Sequence, residues 1–70
     1  MTILYTTHCP KCRVLETKLG QNGIEYKVID DTDVVIDVGQ AHGIMSAPIL
    51  FIDDQYYDFS AAIKYINERN

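Results

Sequence analysis

Four residues, 6–9, separate an apolar triplet, Ile3-Leu4-Tyr5, from a stretch in which Cys12, Leu15 and Leu19 recur at helical spacing. That junction carries Cys9-Pro10-Lys11-Cys12. The triplet has the length of a short buried strand, and the repeat predicts a helix over residues 10–21, with Val14 and Lys18 on a flanking stripe. Pro10 suits the first helical position, where its missing N–H costs nothing. Gly20 and Gly23 both offer a stop, and Gly23 is the better left-handed residue beyond the end. Tyr26-Lys27-Val28-Ile29 then reads as a second strand. A strand–helix–strand opening implies a parallel pair joined by a right-handed crossover.

Asp30, Asp31 and Asp33 supply turn chemistry, with Asp33 expected to cap a short helix from Val34 to His42 that ends at Gly43. Ile49 to Ile52 reads as a buried strand. Asp53-Asp54 is a tight turn into Gln55-Tyr56-Tyr57, closing a hairpin that adds an antiparallel edge. Tyr56 and Tyr57 point to opposite faces, one expected in the core and one at the surface. Phe59, Ala62, Ile63 and Ile66 share one face of a last helix, capped by Asp58 or Ser60. The order βαβαββα predicts an α/β chain with a four-stranded mixed sheet flanked by helices, in one domain over 1–70. A domain this short buries only about 60% of its unfolded surface, so its core is thin.

The formal net charge of −4 and six scattered basic residues argue against nucleic acid, which needs clustered Lys and Arg. The acidic surplus reads as a solubility device. The longest apolar run, Ala47 to Ile52, contains Pro48 and is far short of a membrane span. Met1 leads into Thr2-Ile3-Leu4-Tyr5 without a basic or long apolar leader, so a cytoplasmic protein is expected, and a monomer. In that compartment two cysteines do not serve as a structural staple.

The Cys-x-x-Cys placement has a direct chemical use. A helix start presents unpaired N–H groups and the positive end of the dipole, so Cys9 is expected to hold a reactive thiolate. Cys12 lies one turn on along the same face, within reach of a disulfide. Lys11 adds a nearby positive charge. Cys9, exposed, attacks a disulfide, and Cys12, shielded, resolves the mixed disulfide. A zinc site wants four ligands, and the other candidates are His8 and His42, the former awkwardly adjacent to Cys9. An inert disulfide closing two intervening residues gains little. No metal is therefore expected. Asp30, Asp31, Asp33 and Asp37 lack the spacing of a calcium loop and read as a solvated, capping face. His8 reads as a solvated loop residue, Tyr5 as core, and Met45 as packing around the cysteine pair.

With the Cys-Pro-x-Cys motif after a first strand, and Gly43-Ile44-Met45-Ser46-Ala47-Pro48 leading into Ile49-Leu50-Phe51, the chain resembles the thioredoxin superfamily over nearly its whole length. Within it, the chain resembles the small glutaredoxin-like redoxins. The resemblance implies a thioredoxin fold with Pro48 cis and beside Cys9. It also implies substrate contacts from Pro10, Lys11, Pro48 and the backbone of Ala47, and a disulfide-containing protein as substrate.

Two departures bear on the electron donor. Glutathione-binding members usually carry Lys or Arg three residues before the first Cys, where this chain has Thr6. They also carry Gly-Gly and an acidic residue at the start of the last helix, where this chain reads Asp58-Phe59-Ser60-Ala61. Reducing equivalents are thus expected from a thioredoxin-type reductase or glutathione, with the departures leaning toward the reductase, for delivery to a partner such as ribonucleotide reductase, with no bound cofactor. Iron–sulfur or metal delivery and a non-catalytic thioredoxin-fold binding module are the alternatives.

Overall fold

A computed structural model describes residues 1–68; Arg69 and Asn70, the last two of the expected 1–70 domain, lie outside the described residues. The elements run β1 (Ile3–Tyr5), α1 (Pro10–Gln21), β2 (Lys27–Ile29), α2 (Thr32–His42), β3 (Ile49–Ile52), β4 (Gln55–Tyr57) and α3 (Phe59–Glu68). The chain is mixed α/β, and its four strands form one sheet in the order β2-β1-β3-β4. β1 pairs parallel with β2, Leu4 opposite Val28, and antiparallel with β3, Leu4 opposite Leu50. β3 and β4 complete the hairpin, with Ile52 opposite Gln55. Asp53 and Asp54 both take positive φ, 53° and 62°, as a two-residue hairpin turn matched to strand twist requires.

Helices cover both faces of the sheet. On one face Leu15 and Leu19 of α1 and Ala62 and Ile66 of α3 close over Leu4, Leu50 and Ile52. On the other, Val35 of α2 packs with Tyr5 and Ile49. Alternation along β4 sends Tyr57 to the first cluster and Tyr56 to the second. Both tyrosines are half-buried, so the expectation of one core and one surface tyrosine is corrected. With both faces covered, an edge strand has no solvent face to give away.

The second helix starts earlier than expected. Asp31, not Asp33, is its N-cap: the Asp31 carboxylate accepts from the N–H groups of Asp33 (3.0 Å) and Val34 (3.4 Å). Asp33 falls in the first turn, where its charge complements the dipole. α2 ends on Gly43 at φ 70°, and Gly23, at φ 66°, follows α1 as expected. No helix among the described residues is long and apolar enough to cross a membrane.

Candidate active site

Cys9 is the N-cap of α1, with extended backbone (φ −75°, ψ 167°), and Pro10 opens the helix proper. This delivers Cys9 half-buried at the helix start and sends Cys12, one turn on, fully into the interior. Both cysteines are free, with their sulfurs 2.7 Å apart. A disulfide of about 2.05 Å needs only a small side-chain rotation from there. The Cys12 N–H reaches the Cys9 sulfur at 3.3 Å.

The loop after α2 supplies the opposite wall. The Ala47–Pro48 bond is cis, Pro48 is fully buried, and the Ala47 carbonyl lies 3.9 Å from the Cys9 sulfur. The loop is tied to α2 by the Ile44 N–H, which donates to the Gly39 carbonyl at 2.8 Å. Beyond Thr7 and Ala47 a cavity of about 580 Å³ opens between α2 and this loop, lined without a single charged residue and including Ile36, Ile44 and Met45. Met45 does not pack around the cysteines; it is 97% exposed on this rim, because the turn from Gly43 into the cis bond faces it outward.

The segment between β1 and α1 holds the residue that sequence reading undervalued. Thr6 was conspicuous only for not being basic. It is completely buried, its N–H bonded to the Ile29 carbonyl at 3.0 Å. His8, in left-handed backbone at φ 58°, turns its own N–H back onto the Thr6 hydroxyl at 3.0 Å. Burial works against ionisation of Cys12, but hydrogen bonds from Cys9, Thr6 and the Thr7 backbone outweigh it and hold this thiol below the ordinary range. A threonine whose hydroxyl accepts from the N–H two residues on is a known turn signature, the one signal that pointed here.

The remaining site residues are placed as follows. The His8 imidazole pairs with Asp30 at 3.1 Å, in an exposed position, and not with either sulfur. The Lys11 ammonium lies 5.7 Å from the centre of the Phe59 ring, so its charge is engaged at the start of α3. There Asp58 caps the helix, its carboxylate accepting from the Ala61 N–H at 2.8 Å. Among the described residues no three His, Cys, Asp or Glu side chains converge as metal ligands.

The arrangement can do two-electron thiol chemistry: an accessible sulfur, a buried one in contact with it, and a backbone edge beside them. No known protein-family model matches the chain, and a search of curated proteins returns no significant relative.

Proposed function

We propose that this chain is a small dithiol–disulfide oxidoreductase, a glutaredoxin-like redoxin on the thioredoxin fold, that reduces protein disulfides through Cys9 and Cys12. The observation that carries the reading is the pair itself: free sulfurs 2.7 Å apart at a helix start, one half-exposed and one buried, facing the Ala47–Pro48 edge. Cys9 attacks a substrate disulfide, and one substrate thiolate leaves. Cys12 then attacks the Cys9 sulfur, forming the intramolecular disulfide and releasing the second thiolate. The substrate gains two electrons and two protons; the protein loses them. The uncharged cavity continuing from Thr7 and Ala47 favours an extended protein segment over a small charged disulfide.

The start of α3 bears on the reductant. A tripeptide carboxylate needs a basic side chain or bare N–H groups at a helix start. Here the Ala61 N–H is already taken by Asp58, whose charge repels a second carboxylate, and the Lys11 ammonium is engaged by the Phe59 ring. Thr6, buried, offers no charge. The donor proposed is therefore a thioredoxin-type reductase, with ribonucleotide reductase among the candidate acceptors. The test is to reduce the oxidised protein with reductase plus NADPH and, separately, with glutathione. Fast reduction by the reductase and slow reduction by glutathione is the expected result, with Asp58→Gly/Phe59→Gly improving the second. Robust glutathione turnover with no response to the reductase contradicts the assignment of donor.

A further inference from the structure

The turn that delivers Cys9 is fastened at both ends. At one, the Thr6 N–H donates to the Ile29 carbonyl at 3.0 Å; at the other α1 begins, the Arg13 N–H donating to the Cys9 carbonyl at 3.1 Å. Pro10 confines Cys9 itself to extended backbone, φ −75° and ψ 167°. The conformational freedom of the approach is therefore left to Thr7 and His8. His8 takes φ 58°, a left-handed conformation that sterics disfavour in any L-residue. Strain of this kind persists only where surrounding contacts impose it. Two contacts do so here: the His8 N–H donates to the Thr6 hydroxyl at 3.0 Å, and His8 Nε2 meets the Asp30 carboxylate at 3.1 Å. An ionised carboxylate only accepts, so Nε2 carries the proton. Asp30 is a firm anchor, placed between Ile29, the last residue of β2, and Asp31, the N-cap of α2. Lys11, engaged by the Phe59 ring, leaves Asp30 to His8.

We infer that His8 is a positioning residue for Cys9: clasped to Asp30, its side chain holds the turn that presents the Cys9 sulfur beside Cys12 (2.7 Å) and the Ala47 carbonyl (3.9 Å). This rests on the exchange reading above. In the step concerned, the Cys9 thiolate attacks a substrate disulfide; a bond from Cys9 to one substrate sulfur forms, the substrate S–S bond breaks, and its electron pair leaves on the other substrate sulfur. The attacking sulfur must lie in line with the bond it breaks, so a turn free to swing lowers the fraction of chains poised to react. His8 thereby speeds the attack without touching either sulfur or the substrate. Both clasped side chains are well exposed, 59% and 64%, so water competes for the contact and the gain is modest.

The experiment uses an aryl disulfide whose released thiolate is coloured, in single-turnover mixing with the reduced full chain; the first thiolate reports attack by Cys9. Asp30→Ala removes the acceptor and should slow this phase about two- to fivefold. Asp30→Asn removes the same charge but keeps an oxygen that can accept from Nε2, so it should stay within about 1.5-fold of the wild type. Only a positioning contact separates these two variants, since a purely electrostatic influence of Asp30 on Cys9 would move both alike. A first phase unchanged or faster in Asp30→Ala, or equally slow in Asp30→Asn, overturns the role. Independently of whether Asp30→Ala folds, His8→Gly removes the clasp while permitting left-handed backbone, and it should slow the phase to the same extent; a His8→Gly chain as fast as the wild type also overturns the role. The double variant His8→Gly/Asp30→Ala should be no slower than either single one, because both remove one contact, and additive slowing contradicts the clasp. A wild-type chain that releases no thiolate overturns the exchange reading itself and this role with it.

Discussion

Replacing Gly39 by alanine sets helix propensity against packing, and the structure decides between them. In a helix interior alanine is favoured over glycine by about 0.5–1 kcal/mol, so α2 considered alone is stabilised. A Cβ on Gly39 would, however, lie 2.5 Å from the Ile44 carbonyl oxygen. Carbon–oxygen contacts settle at about 3.3 Å, so the loop must retreat by roughly 0.8 Å. That movement strains the Ile44 N–H bond to the Gly39 carbonyl, worth about 0.5–1.5 kcal/mol, and overpacking adds about 1–3 kcal/mol. Net destabilisation of about 1–3 kcal/mol follows, or roughly 5–20 °C in Tm for a domain of this size. Because the displaced loop carries Ala47 and Pro48 past Cys9, disulfide reductase activity should fall as well. Gly20 in α1 is the control: nothing lies within 4 Å of its added Cβ, so Gly20→Ala should raise Tm by a few degrees. Thermal melts and an insulin-reduction assay on both variants provide the test. A Gly39→Ala protein at or above the wild-type Tm with unaltered activity would refute the close approach.

Two further outcomes are expected. Cys9→Ser should be inert as a reductase, whereas Cys12→Ser should accumulate a mixed disulfide through Cys9, read by intact mass; trapping through Cys12 in the first variant instead would reverse the roles. The second concerns pH. The Cys12 thiol ionises more readily folded than in the unfolded chain, where its ordinary value is 9.0. Its contribution to stability is thus complete above about 9 and is lost as pH falls through the lower folded value. Denaturation of the reduced protein should therefore show its stability advantage over Cys12→Ala growing from neutral pH to about 9; an advantage that shrinks over that range would show the sulfur is not stabilised as an anion.

What the sequence made legible was mostly local. Periodicity located α1 through Cys12, Leu15 and Leu19, and branched residues located β3, because both signals are written within one element. The cap of α2 was misplaced because Asp31 and Asp33 are equally good caps by residue type, and the choice lies in which carboxylate meets the N–H of Val34. One of Tyr56 and Tyr57 was expected at the surface because one strand's alternation says nothing of what covers its other face; around Tyr56, α2 and Phe51 do so, the His42 ring of α2 stacked 3.7 Å from Tyr56. Met45 was expected inside on hydrophobicity alone, yet the loop's path puts it outside. At the site, the cysteines announced themselves by spacing, and Pro48 was marked only by the resemblance of its segment to a known family. The placements of Thr6 against Ile29, of Phe59 beneath Lys11 and of Gly39 beneath Ile44 depend on contacts between elements distant in sequence, which no single segment encodes.

The most direct measurement is of stoichiometry. Fully reduced protein is mixed anaerobically with excess insulin, quenched in acid, and both species are weighed by intact mass. Reduction of one insulin disulfide for each protein molecule that loses two hydrogens, with the new bond mapped to Cys9–Cys12 and no transfer from Cys9→Ser, is the result expected of a dithiol reductant. A chain that stays reduced in the presence of insulin, or that transfers electrons equally well as Cys9→Ser, would contradict the central claim.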